Sequence, residues 1–181
     1  MTVNKVGKDI PEMYAAQYGV FDGELANIKD YQESTRKIHP VKPRDKKLLG
    51  SLREAIEKTG LKDGMTISFH HHFREGDFVI NMVMDEIAKM GFKNLTLAPS
   101  SIPDAHDCIA DYIRSGLVTR LYTSGVRGEL GKLLSSGEIN IPVVIRSHGG
   151  RARAIEEGSI SIDVAFLAAP ACDCLGNITG H

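Results

Sequence analysis

From Gly64 onward, the chain alternates short apolar runs with longer segments in which apolar residues return every three or four positions. The short runs are typical of buried strands, and the longer segments are typical of amphipathic helices. Strands that alternate with helices in this way predict βαβ units on a mainly parallel sheet. We therefore expect an α/β domain with an open, mainly parallel sheet and helices on both faces.

The predicted elements follow one another closely along the chain. They are helices over 45–58, 77–90, 103–114, 126–134 and 151–157, and strands over 65–69, 94–98, 117–122, 142–145 and 161–168. Gly60, Gly91 and Gly116 each follow a predicted helix, and glycine is the residue that most often ends one.

The N-terminal part of the chain shows no sustained periodicity of either kind. Pro40 and Pro43 mark its junction with the periodic part, since proline interrupts both helices and strands. The pattern predicts an irregular N-terminal arm over 1–42 and one α/β domain over 43–181.

Composition and charge add mainly exclusions. With 181 residues, 42% of them hydrophobic, the chain can bury a core, and 22 basic against 23 acidic residues leave no basic field for nucleic acid or an anionic membrane. No apolar run approaches the roughly 20 residues that span a bilayer, and no signal-peptide pattern follows Met1. We expect a cytoplasmic protein that binds neither nucleic acid nor membrane, with its three cysteines reduced.

Polar turns follow the predicted strands, and in a parallel sheet such turns share one edge, where ligands usually bind. They span 70–76, 98–101, 123–129, 146–151 and 169–173. Glycines beside small hydroxyl residues leave backbone N–H groups free to point at an oxyanion, and arginines hold carboxylates. These turns favour an anionic organic ligand.

Three consecutive histidines and an arginine stand in the first turn: His70, His71, His72 and Arg74. Zinc is one interpretation, since imidazole is a common ligand. Successive strand side chains point to opposite faces, so His70 and His72 could converge while His71 could not. No recognised zinc spacing accompanies them. We favour hydrogen bonding in a ligand pocket and expect no metal, with surface histidines as the alternative.

Four segments carry a resemblance to a known family: 64–81, which holds the histidine run, and 91–101, 137–158 and 163–177. Together they resemble the citrate lyase alpha subunits, over nearly the whole chain. The chain is more remotely similar to the coenzyme A transferases, whose recurrent element, aspartate, two residues, then Gly-Asn, stands here at Asp173 to Asn177.

The resemblance implies a coenzyme A transferase-like fold and an acyl exchange, in which acetyl thioester and citrate give citryl thioester and acetate. The thioester carrier would be coenzyme A or a coenzyme A-like prosthetic group on an acyl carrier (gamma) subunit. A beta subunit would cleave the citryl thioester, and the assembly would be oligomeric. No further cofactor is implied.

The resemblance and the strand-end turns together suggest the residues that bind substrate. His70, His71, His72 and Arg74 are expected to hold the carboxylates of citrate. Six further candidates are expected around the thioester: Ser124, Gly125, Gly128, His148, Gly149 and Gly150. Arg146 is a further substrate-binding candidate, with a solvated surface charge as the alternative interpretation of both Arg146 and Arg151.

Two features depart from the family pattern. The histidine turn replaces the glycine-rich turn that coenzyme A transferases place after their first strand, and only Gly76 keeps its character. The nucleophilic glutamate of the family lies in a second, similar half. We therefore expect this chain to be the N-terminal half, inactive alone, with its catalytic nucleophile elsewhere. A non-catalytic anion or sugar-phosphate binding module and a metal-dependent hydrolase remain as alternatives.

Overall fold

The structure, a computed structural model, describes residues 1–4, 7–20, 47–70 and 77–179. The chain divides into two units, Met1–Thr35 and Arg36–His181. The predicted boundary between 42 and 43 lies outside the described residues and stays a prediction.

The N-terminal unit contains regular structure where an irregular arm was predicted. Strand β1 (Thr2–Val3) pairs antiparallel with β2 (Asp9–Ile10), and helix α1 (Glu12–Tyr18) follows. Asn4 closes the hairpin, because its carboxamide oxygen accepts from the backbone N–H of Lys8 at 2.9 Å. Strands of two residues and a helix of seven are too short to produce a periodic pattern.

The second unit is an α/β domain with a five-stranded parallel sheet, which confirms the predicted fold class. Its elements are α2 (Leu52–Thr59), β3 (Thr66–His70), α3 (Val79–Lys89), β4 (Leu95–Leu97), a 3-10 turn (Asp104–His106), α4 (Ile109–Arg114), β5 (Val118–Thr123), α5 (Gly128–Ser136), β6 (Val143–Ile145), α6 (His148–Glu156) and β7 (Val164–Leu167). The strand order is β6-β5-β4-β3-β7.

The strand order reverses direction at β3. Strands β3 to β6 are successive neighbours, whereas β7 lies on the other side of β3. Crossovers between parallel strands are almost always right-handed, so steps in opposite directions place their helices on opposite faces. Helices α3, α4 and α5 therefore cover one face, where α4 contacts both α3 and α5, and α6 covers the other. The β3–β7 pair is the switch point at which open sheets bind ligands.

The larger core lies on the face covered by α3, α4 and α5. Ile67 and Phe69 of β3 point to that face and are at most 2% exposed, and they pack in one cluster with Ile80 and Met84 of α3. Ser68, between them, points to the face of α6 because strand side chains alternate. Each fully buried aliphatic or aromatic side chain contributes about 1.5–3 kcal/mol, so this core anchors the central strands.

Several helix boundaries differ from the prediction, because of local caps in two helices and a tertiary contact in a third. Helix α2 begins at Leu52 because the Ser51 hydroxyl accepts from the N–H of Glu54 at 3.1 Å. Helix α6 begins at His148 rather than at Arg151, because Ser147 caps it in the same way. The predicted helix over 103–114 is divided into the 3-10 turn and α4, with the His106 imidazole hydrogen-bonded to the Asn81 side chain of α3 at 2.6 Å.

Two further observations concern surface and membrane. Met82 is 62% exposed, because it lies on the outer face of α3. No helix in the described part of the chain has the length and the apolar content to cross a bilayer.

Candidate functional site at the carboxyl edge of the sheet

The carboxyl ends of the five parallel strands bring the polar turns to one edge. His70 ends β3, Ala98 follows β4, Ser124 follows β5, Arg146 follows β6 and Ala168 follows β7. Parallel strands all end at the same side of a sheet. The fold thus places every described candidate residue along this edge, as the sequence predicted.

Backbone hydrogen bonds continue beyond the strands and hold the turns side by side. The Ser100 N–H donates to Phe69 O at 3.1 Å, the Ser124 N–H to Ser100 O at 3.1 Å, and the Arg146 N–H to Thr123 O at 2.9 Å. The edge therefore has a fixed backbone on which side chains can be positioned.

Ser124 carries a hydroxyl at this edge that could hydrogen-bond to a ligand. The turn around it is closed by Thr123, whose buried hydroxyl donates to Gly125 O at 3.2 Å and accepts from the Gly125 N–H at 3.4 Å. Ser124 Oγ is buried and makes no hydrogen bond within the described residues. Buried hydroxyls in native proteins are almost always bonded, so Ser124 Oγ is a candidate hydrogen-bonding group for a ligand at this edge.

Gly128 has a packing role. The Asp107 carboxylate accepts from the N–H groups of Leu130 at 3.0 Å and Glu129 at 3.2 Å, and so caps α5 from the preceding loop. A Cβ on Gly128 would lie 2.6 Å from Asp107 Oδ1, and its φ of +64° disfavours other residues. The predicted substrate role of Gly128 stays a prediction, and the cap explains the glycine without a ligand.

The turn after β6 is more open to solvent than the turn after β5. Ser147 Oγ accepts from the Gly150 N–H at 3.0 Å and takes one donor of α6. His148 and Gly149 are exposed at the start of the helix, and within the described residues no atom lies within 4 Å of a Cβ built on Gly149. Partial positive charge at a helix N-terminus favours anions. Arg146, partly buried, stands just before this turn.

Arg151 links α6 to the central strands and was missed as a candidate. Its Nη2 donates to Ser68 Oγ at 2.8 Å and to Ala98 O at 2.9 Å. Burial lowers the pKa of Arg151, because burial disfavours the charged guanidinium. Its place in a glycine turn after a strand was the available signal, but a sequence cannot show which strands an arginine reaches.

The histidine turn is described only at its ends. His70 is exposed at the end of β3, and Asp77 is buried, with its Oδ1 accepting from the Val79 N–H at 2.9 Å at the start of α3. His71, His72 and Arg74 lie outside the described residues, so their predicted roles stay predictions.

The described residues offer no grouping of three or more His, Cys, Asp or Glu side chains that could hold a metal ion. Cys172 and Cys174 are free and exposed on either side of Asp173. Cys108 is free and half-buried, and its burial raises the pKa of its thiol.

The Asp173 to Asn177 element forms a turn that the Asp173 side chain closes. Asp173 Oδ1 accepts from the N–H groups of Leu175 and Asn177 at 2.9 Å, and Oδ2 accepts from Asn177 Nδ2 at 2.7 Å. These bonds, led by that from the Asn177 side chain, lower the pKa of Asp173. A Cβ on Gly176 would lie 2.6 Å from Lys47 Cδ, so this glycine lets the turn pack against Lys47.

Comparison with known proteins gives one consistent family. Residues 45–181 match the family model described as citrate lyase, alpha subunit (CitF). The chain is 58% identical over 137 residues to the citrate lyase alpha chain of Haemophilus influenzae, and 54% identical over 156 residues to that of Escherichia coli. It covers 27% and 31% of the length of those relatives, against 76% and 86% of its own.

A solved structure shows the same likeness in three dimensions. It is the alpha subunit of citrate lyase from Streptococcus mutans in complex with citrate, 62% identical, with a TM-score of 0.79. The match covers 98% of this chain and 34% of that one. The chain thus spans about a third of the proteins it matches.

Proposed function

Since the chain belongs to the citrate lyase alpha subunit family, we propose that it forms the citrate-binding part of such a subunit. The reaction is the exchange of acetyl thioester and citrate for citryl thioester and acetate. One observation carries the proposal: a homologous alpha subunit of 62% identity that contains citrate superimposes on 98% of this chain.

The carboxyl edge has groups suited to this chemistry. Citrate brings several carboxylates, and acyl exchange develops charge on oxygen that preorganised donors stabilise. Ser124 Oγ, the exposed N-terminal turn of α6 and Arg146 offer hydroxyl, backbone N–H and cationic donors along one edge. In the proposed arrangement, the histidine turn binds citrate, and the turns after β5 and β6 lie near the thioester.

The nucleophile of the exchange is proposed to lie in another part of the subunit. A carboxylate is a poor electrophile, so the reaction needs an enzyme glutamate that forms an anhydride and then conserves the thioester energy. Two described glutamates are already engaged within the protein: Glu129 forms an exposed ion pair with Lys132, and Glu138 accepts from Ser136 Oγ at 3.3 Å. This chain alone should therefore show no turnover.

The proposed partners follow from the same assignment. The thioester would be carried by coenzyme A or by a coenzyme A-like prosthetic group on the acyl carrier subunit, and the beta subunit would cleave the citryl thioester. The proposed assembly is oligomeric.

A chimera tests the proposal. This chain replaces the matching segment of the E. coli alpha chain, to which it is 54% identical, and citryl-coenzyme A formation from acetyl-coenzyme A and citrate is measured by mass spectrometry. We expect exchange by the chimera, and citrate binding without turnover by the 181-residue chain. The unmodified E. coli chain is the positive control.

Two results would contradict the proposal. Turnover by the isolated chain would refute the proposal that the nucleophile lies in another part of the subunit. A folded chimera that neither exchanges nor binds citrate, but binds sugar phosphates in equilibrium dialysis, would favour the non-catalytic alternative.

A further inference from the structure

Arg151 lies against the central strands at the carboxyl edge. Its Nη2 bridges β3 and the residue after β4, through Ser68 Oγ at 2.8 Å and Ala98 O at 2.9 Å. Ser68 is 7% exposed, so the guanidinium reaches a buried position on the face of the sheet that α6 covers. Helix α6 thus fixes a cation at the edge where the turns meet.

The two hydrogen bonds use only part of the guanidinium. Arginine has five N–H donors, of which two belong to Nη2, so the three on Nε and Nη1 remain. No protein acceptor for these three donors stands among the described residues, and no described carboxylate forms an ion pair with Arg151.

Arg153, two residues along the same helix, provides the contrast. Its side chain is 79% exposed and forms an ion pair with Glu157 through Nε. Exposed pairs of this kind contribute little to stability and leave no cation to recruit a ligand. Arg151 differs because its charge is partly buried and lacks a carboxylate in the described part of the chain.

Arg151 lies near His70, the one described residue of the predicted carboxylate site. His70 follows Ser68 by two residues, so both side chains point to the same face of β3. At about 3.3 Å per residue, their Cα atoms stand roughly 6.6 Å apart along the strand. Arg151 therefore lies on the β4 side of β3, two residues along the strand from His70.

We propose that the Arg151 guanidinium binds a carboxylate of the acid substrate at the carboxyl ends of β3 and β4. This inference rests on the proposed function and adds to it a specificity residue from α6. A carboxylate there would neutralise a partly buried cation, and charge-assisted bonds are stronger where water is partly excluded. The hydrogen bonds to Ser68 and Ala98 hold the guanidinium in place before the acid arrives.

Kinetics of the chimera test the inference. Arg151→Gln should raise the KM for citrate about 10- to 100-fold, the range for losing a charged hydrogen bond. The KM for acetyl-coenzyme A should change less than about twofold, because a carboxylate contact is lost and not a thioester contact. Arg153→Gln is the matched control and should leave both constants unchanged.

A second variant separates binding from packing. Arg151→Lys keeps the positive charge but not the planar guanidinium that can donate two parallel hydrogen bonds to a carboxylate. Its KM for citrate should therefore fall between those of wild type and Arg151→Gln. If both variants change the two KM values equally, or lower kcat with citrate KM unchanged, Arg151 only packs α6 and the inference is wrong.

A chemical footprint needs no variant and no activity. Phenylglyoxal modification of each arginine is measured by mass spectrometry on the 181-residue chain and on the chimera, with and without saturating citrate. We expect citrate to slow modification of Arg151 at least about fivefold, as for a ligand occupying most of the sites, and to leave Arg153 unaffected. If the protein binds citrate but Arg151 is modified at the same rate with and without it, the inference is wrong and the proposed function stands. A chimera that neither binds nor exchanges citrate overturns the proposed function instead.

Discussion

The turns after β5 and β6 look alike in the sequence, yet the structure uses them differently. Each combines serine, glycine and arginine between a strand and a helix. After β5, the Asp107 carboxylate takes two N–H groups of α5 and fills the space beside Gly128. After β6, the cap comes from Ser147 of the same turn, and Gly149 is exposed.

The difference shows that a glycine in a strand-to-helix turn has two physical meanings. At Gly128 the missing side chain admits a carboxylate of the protein itself, whereas at Gly149 it leaves space open to solvent. Both meanings produce the same sequence pattern. What separates them is a residue about twenty positions away that the local pattern does not contain.

The largest expected effect comes from giving each glycine a side chain. Gly128→Ala should destabilise the protein by about 1–3 kcal/mol, because it strains a positive φ and displaces the Asp107 cap. Gly149→Ala should leave stability unchanged or raise it by up to about 1 kcal/mol, because alanine favours a helix. Urea unfolding measures both. Equal effects of the two substitutions would mean that the two turns do not differ as described.

A smaller effect is expected from removing the caps. Asp107→Ala and Ser147→Ala should each cost about 0.5–2 kcal/mol, the usual range for a lost helix cap. The pair Asp107→Ala with Gly128→Ala should cost less than the sum, because removing the carboxylate makes room for the Cβ. A double-mutant cycle in urea measures this coupling. Strict additivity would show that Gly128 and Asp107 do not share the space.

The smallest effect concerns a third turn, that of Asp173 after β7. Hydrogen bonds lower the pKa of Asp173 in the folded state below the unfolded value of about 3.9. Its stabilising contribution is therefore complete above about pH 4 and is lost as the pH falls through the lower, folded value. Amide hydrogen exchange at Leu175 and Asn177 should accelerate relative to the rest of the chain in that range.

Asp173→Asn is the control for this pH dependence, since an amide does not titrate there. The variant should lose the acid-induced change at these two amides. If wild type and variant respond to acid alike, another group controls the turn.

The fold and part of the site could be predicted from local sequence because their signals are local. Alternating apolar runs and amphipathic segments gave the order of strands and helices from β3 to β7. The placement of Ser124, Arg146 and His148 at strand ends follows from the same pattern. Boundaries were less accurate: α6 begins at the Ser147 cap, and the helix predicted over 103–114 is interrupted where His106 bonds to Asn81.

By itself, the sequence determined the α/β class, the family resemblance and the edge at which polar turns collect, because periodicity and strand-end chemistry depend on neighbours along the chain. Only the tertiary structure decided that β7 joins beside β3, that Asp107 closes the turn after β5, and that Arg151 reaches Ser68. These depend on contacts between residues at least 22 positions apart, which no local pattern contains. The physical reason is that a side chain's role depends on what packs against it.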